Sequence, residues 1–566
     1  MNRNLFLLLA GILLSAAAFS QPDTIRKDIN IIDKYNPTIS DANKIKFFPE
    51  IIDSTKTDNT FNYGIKSRPI NVNFELEPIK PAKLEGEPLT KLYRSLIKLG
   101  YGNYFSPFAE IYYNNLRSKK QSVGAYYNHI SSDGKLKTDK GKTYAGYSDN
   151  SAGVYLKKFL DKKKTFTGNI DFGRNVFYNY GITPYVTSID LDKEDMEKRW
   201  LMRMDADLKL KNNHADSSHF NFDTGLGFKY TRDNSEYGEK EFGGCGTFSK
   251  FYGDELMGLT TDIRIYDYDY KDASGMKGLV IINPWASIVG DEWRIETGLN
   301  FTADAYGDSL FYHIYPKVQL QYNVIENFMI PYAGFDGKLQ YNNYRSIAYE
   351  NHFINPGLSV KNTSYPVVLY GGIRGNFTQN LNYNFQASYS VIEDMYFYVN
   401  DTIDHAGSSF FSLYKGIQTL NTFSVVYDDV EMFRLHGEVV YKKTDKWNFI
   451  LRGNYYSYKL SNELYAWHKP DFDASMTVEY NLRDKILLNA EIFSIGNRNA
   501  RFTLKEEDVT FELDPIIDAN LGIEYRYSKI LSGFIYINNI TSKNYNIWYG
   551  YPVQGINFIF GLSYSL

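Results

Sequence analysis

The chain has 566 residues, of which 43% are hydrophobic, and its 62 basic and 66 acidic side chains leave a net charge of −4. This balance argues against the strongly basic surfaces with which proteins bind nucleic acid. The single cysteine, Cys245, excludes an intramolecular disulfide and a four-thiolate metal site. It lies in the run Gly243-Gly244-Cys245-Gly246, which indicates a closely packed strand or turn, with a reactive thiol as the alternative.

Residues 1–20 have the pattern of an export signal. Arg3 precedes an apolar run from Leu5 to Phe19, which at about 15 residues is too short to cross a bilayer as a helix. Ala18-Phe19-Ser20 places small residues at the two positions that a signal peptidase reads. We therefore expect cleavage near Ser20 and export of the remaining chain.

Residues 21–92 differ from everything that follows, because they have little alternation, few aromatic residues and many prolines. The prolines are Pro22, Pro37, Pro49, Pro69, Pro78, Pro81 and Pro88. Proline is disfavoured inside paired sheets, so this composition indicates extended or irregular chain. We expect a lead segment that lies in the periplasm or fills part of a lumen.

Residues 93–566 repeat an alternation of apolar and polar residues to the end of the chain. It is clearest at 472–482, where every even position is apolar and every odd position is polar or charged. Similar runs occupy 202–210, 318–324 and 519–527. Successive side chains on a strand point to opposite faces, so each run predicts a strand with one apolar and one polar face.

The composition favours a membrane barrel over a soluble protein of several domains. Tyrosine, with 50 residues, outnumbers glycine, with 42, and aromatic side chains are enriched where barrels meet the membrane surface. The mean hydropathy of −0.40 agrees with this fold, because only alternate residues of such a strand face lipid. Polar faces with both charge signs indicate a hydrated lumen, and a soluble sandwich or propeller is the alternative.

The sequence therefore predicts an all-β, antiparallel, up-and-down transmembrane barrel of roughly 18 to 22 strands. Its connections have two lengths. The short ones are Glu326-Asn327, Gln379-Asn380, Arg483-Asp484-Lys485 and Ser528-Lys529, and the long ones are 182–198, 345–362, 400–418 and 499–508. In outer-membrane barrels short turns face the periplasm and long loops face outside.

No arrangement of residues indicates catalysis, a cofactor or a bound metal, so we do not expect an enzyme. His214 and His219 flank Asp216, which favours a solvated loop over a metal site. The run from Tyr266 to Tyr270 favours an aromatic girdle over a cation site, and Asp428-Asp429-Val430-Glu431 favours a turn over a calcium site. His436 alternates with charged neighbours and is expected to line the lumen.

The last 30 residues carry the most specific motifs. The first is a turn and connection formed by Asn538, Asn539, Gly550, Tyr551, Pro552 and Gly555. The second is the closing strand, with Phe558, Phe560, Gly561, Tyr564 and Leu566. The first motif resembles the C-terminus of TonB-dependent receptors. The second resembles the signal read by the barrel assembly machinery, with Leu566 in place of the usual phenylalanine.

The resemblance implies an outer-membrane barrel of a Gram-negative type cell, surrounded by lipid and inserted by the barrel assembly machinery. It implies transport of a solute across the outer membrane. The front of the chain departs from the family, because no plug domain precedes the barrel and Asp23-Thr24-Ile25 is a poor match to a TonB box. Engagement of TonB is therefore in doubt, and the alternative function is a scaffold subunit that binds a lipoprotein or another outer-membrane protein.

Overall fold

A computed structural model describes residues 92–566, except for positions 117, 139, 183–188, 213, 215–218, 272, 404–421, 445 and 505–506. The predicted signal peptide, and all of the lead segment except its last residue, lie outside the described residues. Apart from two short helices, the regular secondary structure of the described chain is all β. Neither of the short helices found in this part of the chain is long and apolar enough to cross a membrane.

The strands, in chain order, are β1 (Ser95–Gly102), β2 (Ser106–Asn114), β3 (Gln121–Ser132), β4 (Lys135–Thr138), β5 (Gly141–Tyr144), β6 (Tyr147–Phe159), β7 (Lys164–Tyr178), β8 (Ile189–Leu191), β9 (Lys198–Asn212), β10 (Asn221–Asp233), β11 (Tyr237–Tyr252), β12 (Glu255–Tyr270), β13 (Ala273–Val289), β14 (Trp293–Tyr306), β15 (Ser309–Tyr322), β16 (Ile330–Gln340), β17 (Thr363–Thr378), β18 (Leu381–Ile403), β19 (Phe423–Lys443), β20 (Trp447–Leu460), β21 (Phe472–Leu482), β22 (Ile486–Ile495), β23 (Arg498–Leu504), β24 (Glu507–Leu513), β25 (Ile516–Arg526), β26 (Leu531–Asn538), β27 (Asn546–Trp548), β28 (Tyr551–Pro552) and β29 (Asn557–Ser565). Helix α1 spans Tyr344–Glu350, and a 3-10 helix spans Lys193–Asp195.

Twenty-two of these strands form one closed antiparallel barrel, which confirms the predicted fold class at the upper end of the predicted strand number. The other seven, β4, β5, β8, β23, β24, β27 and β28, belong to the connections. Each barrel strand pairs with the next barrel strand along the chain, and the last, β29, pairs with β1 from Leu96↔Ser565 to Gly102↔Ile559. The sheet therefore has no free edge in the barrel wall, which removes the aggregation hazard of an exposed apolar strand.

The predicted alternation corresponds to the two faces of the wall. Strand β21 covers residues 472–482, as predicted, and its Phe472, Met476 and Leu482 are exposed on the outer face. Charged groups of both signs face the lumen, as in the 2.9 Å ion pair between Lys229 and Glu241. An apolar outer face and a polar inner face are the arrangement expected of a barrel whose outside contacts lipid.

The connections differ between the two ends of the barrel, as predicted. One end has tight turns, among them 253–254, 290–292, 379–380 and 483–485. The other end has most of the long connections, among them 133–146, 179–197, 341–362, 461–471, 496–515 and 539–556. Two of the predicted loops are partly strand. Residues 400–403 belong to β18, with 404–421 outside the described residues, and 499–508 fall in the hairpin β23–β24, which extends the sheet beside β18.

Candidate functional site

Connection 341–362 folds inward and forms a small helix inside the barrel mouth. Asn343 begins helix α1 by accepting a hydrogen bond from the backbone N–H of Ser346 at 2.8 Å, and the Ser346 hydroxyl accepts one from the Asn343 N–H. Such reciprocal capping satisfies backbone donors that a short helix otherwise leaves exposed. Ile347 and Ala348 are buried on the packed face of the helix.

The start of this connection is fixed to strands β9, β10 and β11 of the wall. The guanidinium of Arg345 donates to both carboxylate oxygens of Asp205, at 2.5 and 2.6 Å. The hydroxyl of Tyr344 donates to Asp233 at 2.9 Å. Arg199 donates to the carbonyl of Ile354 at 2.7 Å, so the chain after the helix is held by the same wall. Bidentate contacts between arginine and a carboxylate are among the stronger polar interactions in proteins.

The end of α1 is fixed to a different part of the wall. Glu350 accepts hydrogen bonds from Lys469 and from the Tyr396 hydroxyl, both at 2.7 Å, and the Tyr398 hydroxyl donates to the carbonyl of Ile347 at 3.0 Å. Burial opposes ionisation of Glu350, but the charge of Lys469 and these hydrogen bonds lower its pKa below the usual value. Both tyrosines lie on β18, and strands β12 to β17 separate β18 from β11. The connection therefore crosses the mouth.

A second connection, 539–556, meets the first inside the mouth. The ring of Tyr551 stacks on Phe353 with 3.6 Å between centroids, and Tyr180 packs against both rings. The Tyr180 hydroxyl donates to the carbonyl of Pro552 at 3.1 Å, and Gly550 accepts a hydrogen bond from the N–H of Ile182 at 2.7 Å. We call residues 341–362 and 539–556 together the cap. Their shared cluster buries Tyr344, Ile347, Ile354, Val360, Tyr398, Phe423 and Tyr551.

His468 connects the cap to the wall. Its Nδ1 lies 2.9 Å from the carbonyl of Tyr398, and its Nε2 lies 3.3 Å from the backbone N–H of Tyr549. A carbonyl requires a donor and an N–H requires an acceptor, so the imidazole is neutral with its proton on Nδ1. Burial lowers the pKa of His468 to about 3, which is consistent with this neutral form.

The structure gives the predicted C-terminal motif a local role in the cap. Asn539 has a left-handed backbone, φ 50°, and its side-chain amide donates to the carbonyls of Lys543 and Gln554, both at 2.8 Å. Asn538 ends β26 opposite Asn557. Gly550 also has positive φ, at 83°, while Gly555 has only ordinary contacts around it, so the structure does not explain a need for glycine there.

The residues predicted as the assembly signal close the barrel. Phe558, Phe560, Tyr564 and Leu566 are exposed on the outer face of β29, and the carbonyl of Leu566 accepts a hydrogen bond from the N–H of Ser95 at 3.0 Å. A Cβ at Gly561 would overlap the carbonyl oxygen of Leu99 across the seam. This close approach gives a physical reason for glycine at position 561. Recognition by the assembly machinery is untested and stays a prediction.

Two sequence interpretations are wrong. Tyr266 does not belong to an outer aromatic girdle, because it is buried on the lumen side and bonds the hydroxyl of Tyr237, while Tyr268 and Tyr270 pack against the cap cluster. The run at 428–431 is not a turn but part of β19, where Asp428 accepts hydrogen bonds from the N–H groups of Asn462 and Glu463.

Other interpretations hold or change in detail. His436 does face the lumen, beside Asn454 at 2.9 Å. Cys245 does lie on a strand, β11, but its side chain is exposed rather than closely packed. The rings of His214 and His219 stack 4.3 Å apart, and Asp216 between them lies outside the described residues.

The cap is not predicted from the sequence, which indicates only a long polar loop at 345–362. A weak signal was present. Asn343 precedes Ser346 by three residues, and Tyr344, Ile347 and Ala348 follow the spacing of one helix face. This signal covers only two turns and is too short to predict a helix by itself.

A closed 22-stranded barrel with long connections at one end belongs to the outer-membrane class of β-barrels. No model of a known protein family matches the chain, and no curated protein matches it. Solved structures do. The FrpB iron transporter from Neisseria meningitidis is 9% identical, with a TM-score of 0.65 over 84% of this chain and 82% of FrpB.

Two further structures give the same result. The siderophore receptor PirA from Acinetobacter baumannii is 10% identical, with a TM-score of 0.61 over 85% of this chain and 81% of PirA. The ferric enterobactin receptor PfeA from Pseudomonas aeruginosa is 14% identical, with a TM-score of 0.61 over 84% of this chain and 82% of PfeA. The chain therefore has the barrel fold of TonB-dependent receptors, which confirms the predicted resemblance.

Proposed function

We propose that this protein is an outer-membrane barrel that passes a solute through its lumen when the cap moves out of the mouth. The shared fold with outer-membrane transporters and receptors supports transport in general rather than catalysis. We include in the proposal export directed by residues 1–20, a surrounding layer of outer-membrane lipid, and insertion by the barrel assembly machinery.

The observation that carries the proposal is the attachment of connection 341–362 to two separate parts of the wall by polar contacts. Arg345 binds Asp205 of β9 on one side, and on the other Glu350 binds Tyr396 of β18 and Lys469 of the connection 461–471. Polar contacts of this kind contribute about 1 to 3 kcal/mol each, so a modest free energy exchanges them for water. Opening of the mouth would exchange these contacts for water and would also expose the cap cluster.

The lead segment, 21–92, enters the proposal as a second closure of the lumen. The test compares ion currents of purified protein in planar bilayers for four proteins: the wild type, the variant Arg345→Ala, a deletion of residues 21–92 that keeps the export signal, and the combination. We expect a small current for the wild type and the largest current for the combination. A combination no more conductive than the wild type would contradict transport through this lumen.

A scaffold role is the second candidate, and the same cap contacts favour it if they never open. In that case the barrel would hold partner proteins, for instance a lipoprotein, on its connections. Purification in mild detergent distinguishes the two functions. A stoichiometric partner together with a silent bilayer recording for the combined variant would favour the scaffold, and a conducting barrel without a partner favours transport.

A further inference from the structure

A cavity of about 440 Å³ lies between the cap and the lumen wall. The cap contributes His352, Phe353, Tyr545 and Gln554, and the wall contributes residues of β3, β6, β7, β22, β25, β26 and β29. Its volume falls within the range of roughly 300 to 1,000 Å³ that is typical of small-molecule sites. The cavity lies next to the proposed route of the solute.

One polar group in this cavity has no partner. The side-chain oxygen Oδ1 of Asn557, a residue only 9% exposed, makes no hydrogen bond with the described residues, although its amide nitrogen lies 3.5 Å from Gln554. A buried acceptor without a partner is costly, and such groups are usually satisfied by water or a ligand. Asn557 points to the lumen from β29, because its outward-facing neighbour Phe558 is exposed.

His352 is a second group that a ligand could engage. Its ring packs edge-on against Phe177 at 5.6 Å, and none of the described residues forms a hydrogen bond with its nitrogens. Burial lowers the pKa of His352, so the ring is neutral at pH 7 and offers one donor and one acceptor. Asn557 and His352 line the same cavity, the first from the wall and the second from the cap.

The charges around the cavity disfavour an anion. No lysine or arginine is among the described lining residues, whereas Asp149 and Asp518 are. Both carboxylates already have donors: Asp149 accepts from Asn175 at 2.7 Å, and Asp518 accepts from Tyr545 at 3.0 Å. An anion would be repelled by the carboxylates, whose charges are already stabilised without a cation by the hydrogen bonds that they accept. A neutral ligand fits best.

The remaining lining combines flat apolar rings with amide groups. Phe177, Phe353 and Phe493 present rings, and Asn520, Gln554 and Asn557 present amides that donate and accept hydrogen bonds at once. A sugar ring has the matching surfaces, since its C–H faces are apolar and its hydroxyl edges both donate and accept. We propose that this cavity binds a neutral saccharide of about disaccharide size as the solute, an inference that rests on the proposed transport function.

The test measures binding to the full-length protein in detergent by saturation-transfer NMR. The probes are lactose, sucrose and maltose, together with the anion lactobionate, in which the glucose unit of lactose is opened and oxidised to a carboxylate. The variants are Asn557→Leu and His352→Phe, the second of which lies outside the barrel strands. The matched control is Asn382→Leu, at an exposed asparagine of β18 that does not line the cavity.

At least one neutral disaccharide is expected to bind with a millimolar dissociation constant, and lactobionate about tenfold more weakly than lactose. Both cavity variants should weaken the neutral ligand about tenfold, and Asn382→Leu should not change its binding. Binding of none of the three neutral disaccharides, tighter binding of lactobionate, or unchanged binding in both cavity variants would overturn the inference. If currents rise in the bilayer experiment while none of the disaccharides binds, this inference fails and the proposed transport function stands.

Discussion

The guanidinium of Arg345, in the cap, makes two hydrogen bonds to the carboxylate of Asp205 on strand β9. Both side chains are largely shielded from water, with 18% and 23% of their surfaces exposed. The pair lies at the start of helix α1, which packs Ile347 and Ala348 into the cap cluster. A single contact therefore links the position of the helix to the barrel wall.

Replacing Arg345 by alanine should favour the open mouth. The variant loses both hydrogen bonds and leaves the charge of Asp205 without its cationic partner. We expect this loss to destabilise the closed state by about 2 kcal/mol, which is roughly a 30-fold change in the ratio of open to closed protein. Single-channel recording should show a larger open fraction. The double variant Arg345→Asp, Asp205→Arg should restore part of the closure. Lys459→Ala is the control, because the ion pair of Lys459 with Glu431 is exposed and lies away from the cap.

Labelling of Cys245 gives a measure of closure that needs no current. This sole cysteine has an exposed side chain on β11, on the same face as the lumen residues Glu239 and Glu241. A bulky maleimide added to intact cells should react slowly with the wild type and about tenfold faster with Arg345→Ala. A small maleimide added to the detergent-solubilised proteins should react equally with both. Equal rates with the bulky reagent would show that the cap does not restrict the lumen.

The barrel could be predicted because one physical rule acts on every wall residue. A side chain faces either the outside or the lumen, so apolar and polar residues alternate along each strand. Strand β21 begins and ends where this alternation does. The cap could not be predicted in this way. Its partners, such as Asp205 for Arg345 and Lys469 for Glu350, are brought together only when the barrel closes.

The interpretation of Tyr266 shows the same limit. Aromatic residues at a strand end suit either the membrane surface or a packed lumen. The sequence alone does not show that the cap packs against the lumen side of these residues. In the structure Tyr237 and Tyr266 bond each other inside the barrel at 3.0 Å. The sequence indicates a turn at Asp428 for a related reason, because the partners of this residue, the N–H groups of Asn462 and Glu463, lie in the next long connection.

Acid should loosen the cap through His468. Burial is the main barrier to a second proton on His468, which would have to enter at Nε2 beside the N–H of Tyr549, and the neighbouring charges of Arg498 and Lys469 also oppose it. The closed state therefore has a pKa of about 3 for His468, against about 6.5 when the ring is free in water. Because the open state binds the proton more readily, closure is fully stable above about pH 6.5 and weakens as the pH falls.

Between pH 7.5 and 5, the difference between the pKa values of His468 in the closed and open states should weaken closure by about 2 kcal/mol. The pKa of Glu350 lies below its usual value, so its contact with Lys469 persists over this range. The open fraction in bilayers should rise on acidification, and His468→Gln should reduce that rise. The pKa of His352 is also lowered, so the double variant His468→Gln, His352→Phe should reduce the acid-induced rise in the open fraction further. A wild-type current independent of pH would refute the role of His468.

The seam between the first and last strands should tolerate no side chain at Gly561. A Cβ there would overlap the carbonyl oxygen of Leu99 and lie 2.5 Å from Cζ of Phe534. Gly533, on the neighbouring strand β26, provides a matched control, because a Cβ there would meet its nearest atom, the carbonyl oxygen of Gly561, at 3.9 Å.

We expect Gly561→Ala to destabilise the closed barrel by about 2 kcal/mol, since forced overpacking against backbone costs on this scale, and Gly533→Ala to change stability little. The measurement is the folded fraction after refolding into detergent, read from the faster migration of unheated barrels in a denaturing gel. Equal folded fractions for the two variants would mean that the seam relaxes around the added methyl group, and the close approach at Leu99 would then not explain glycine at this position.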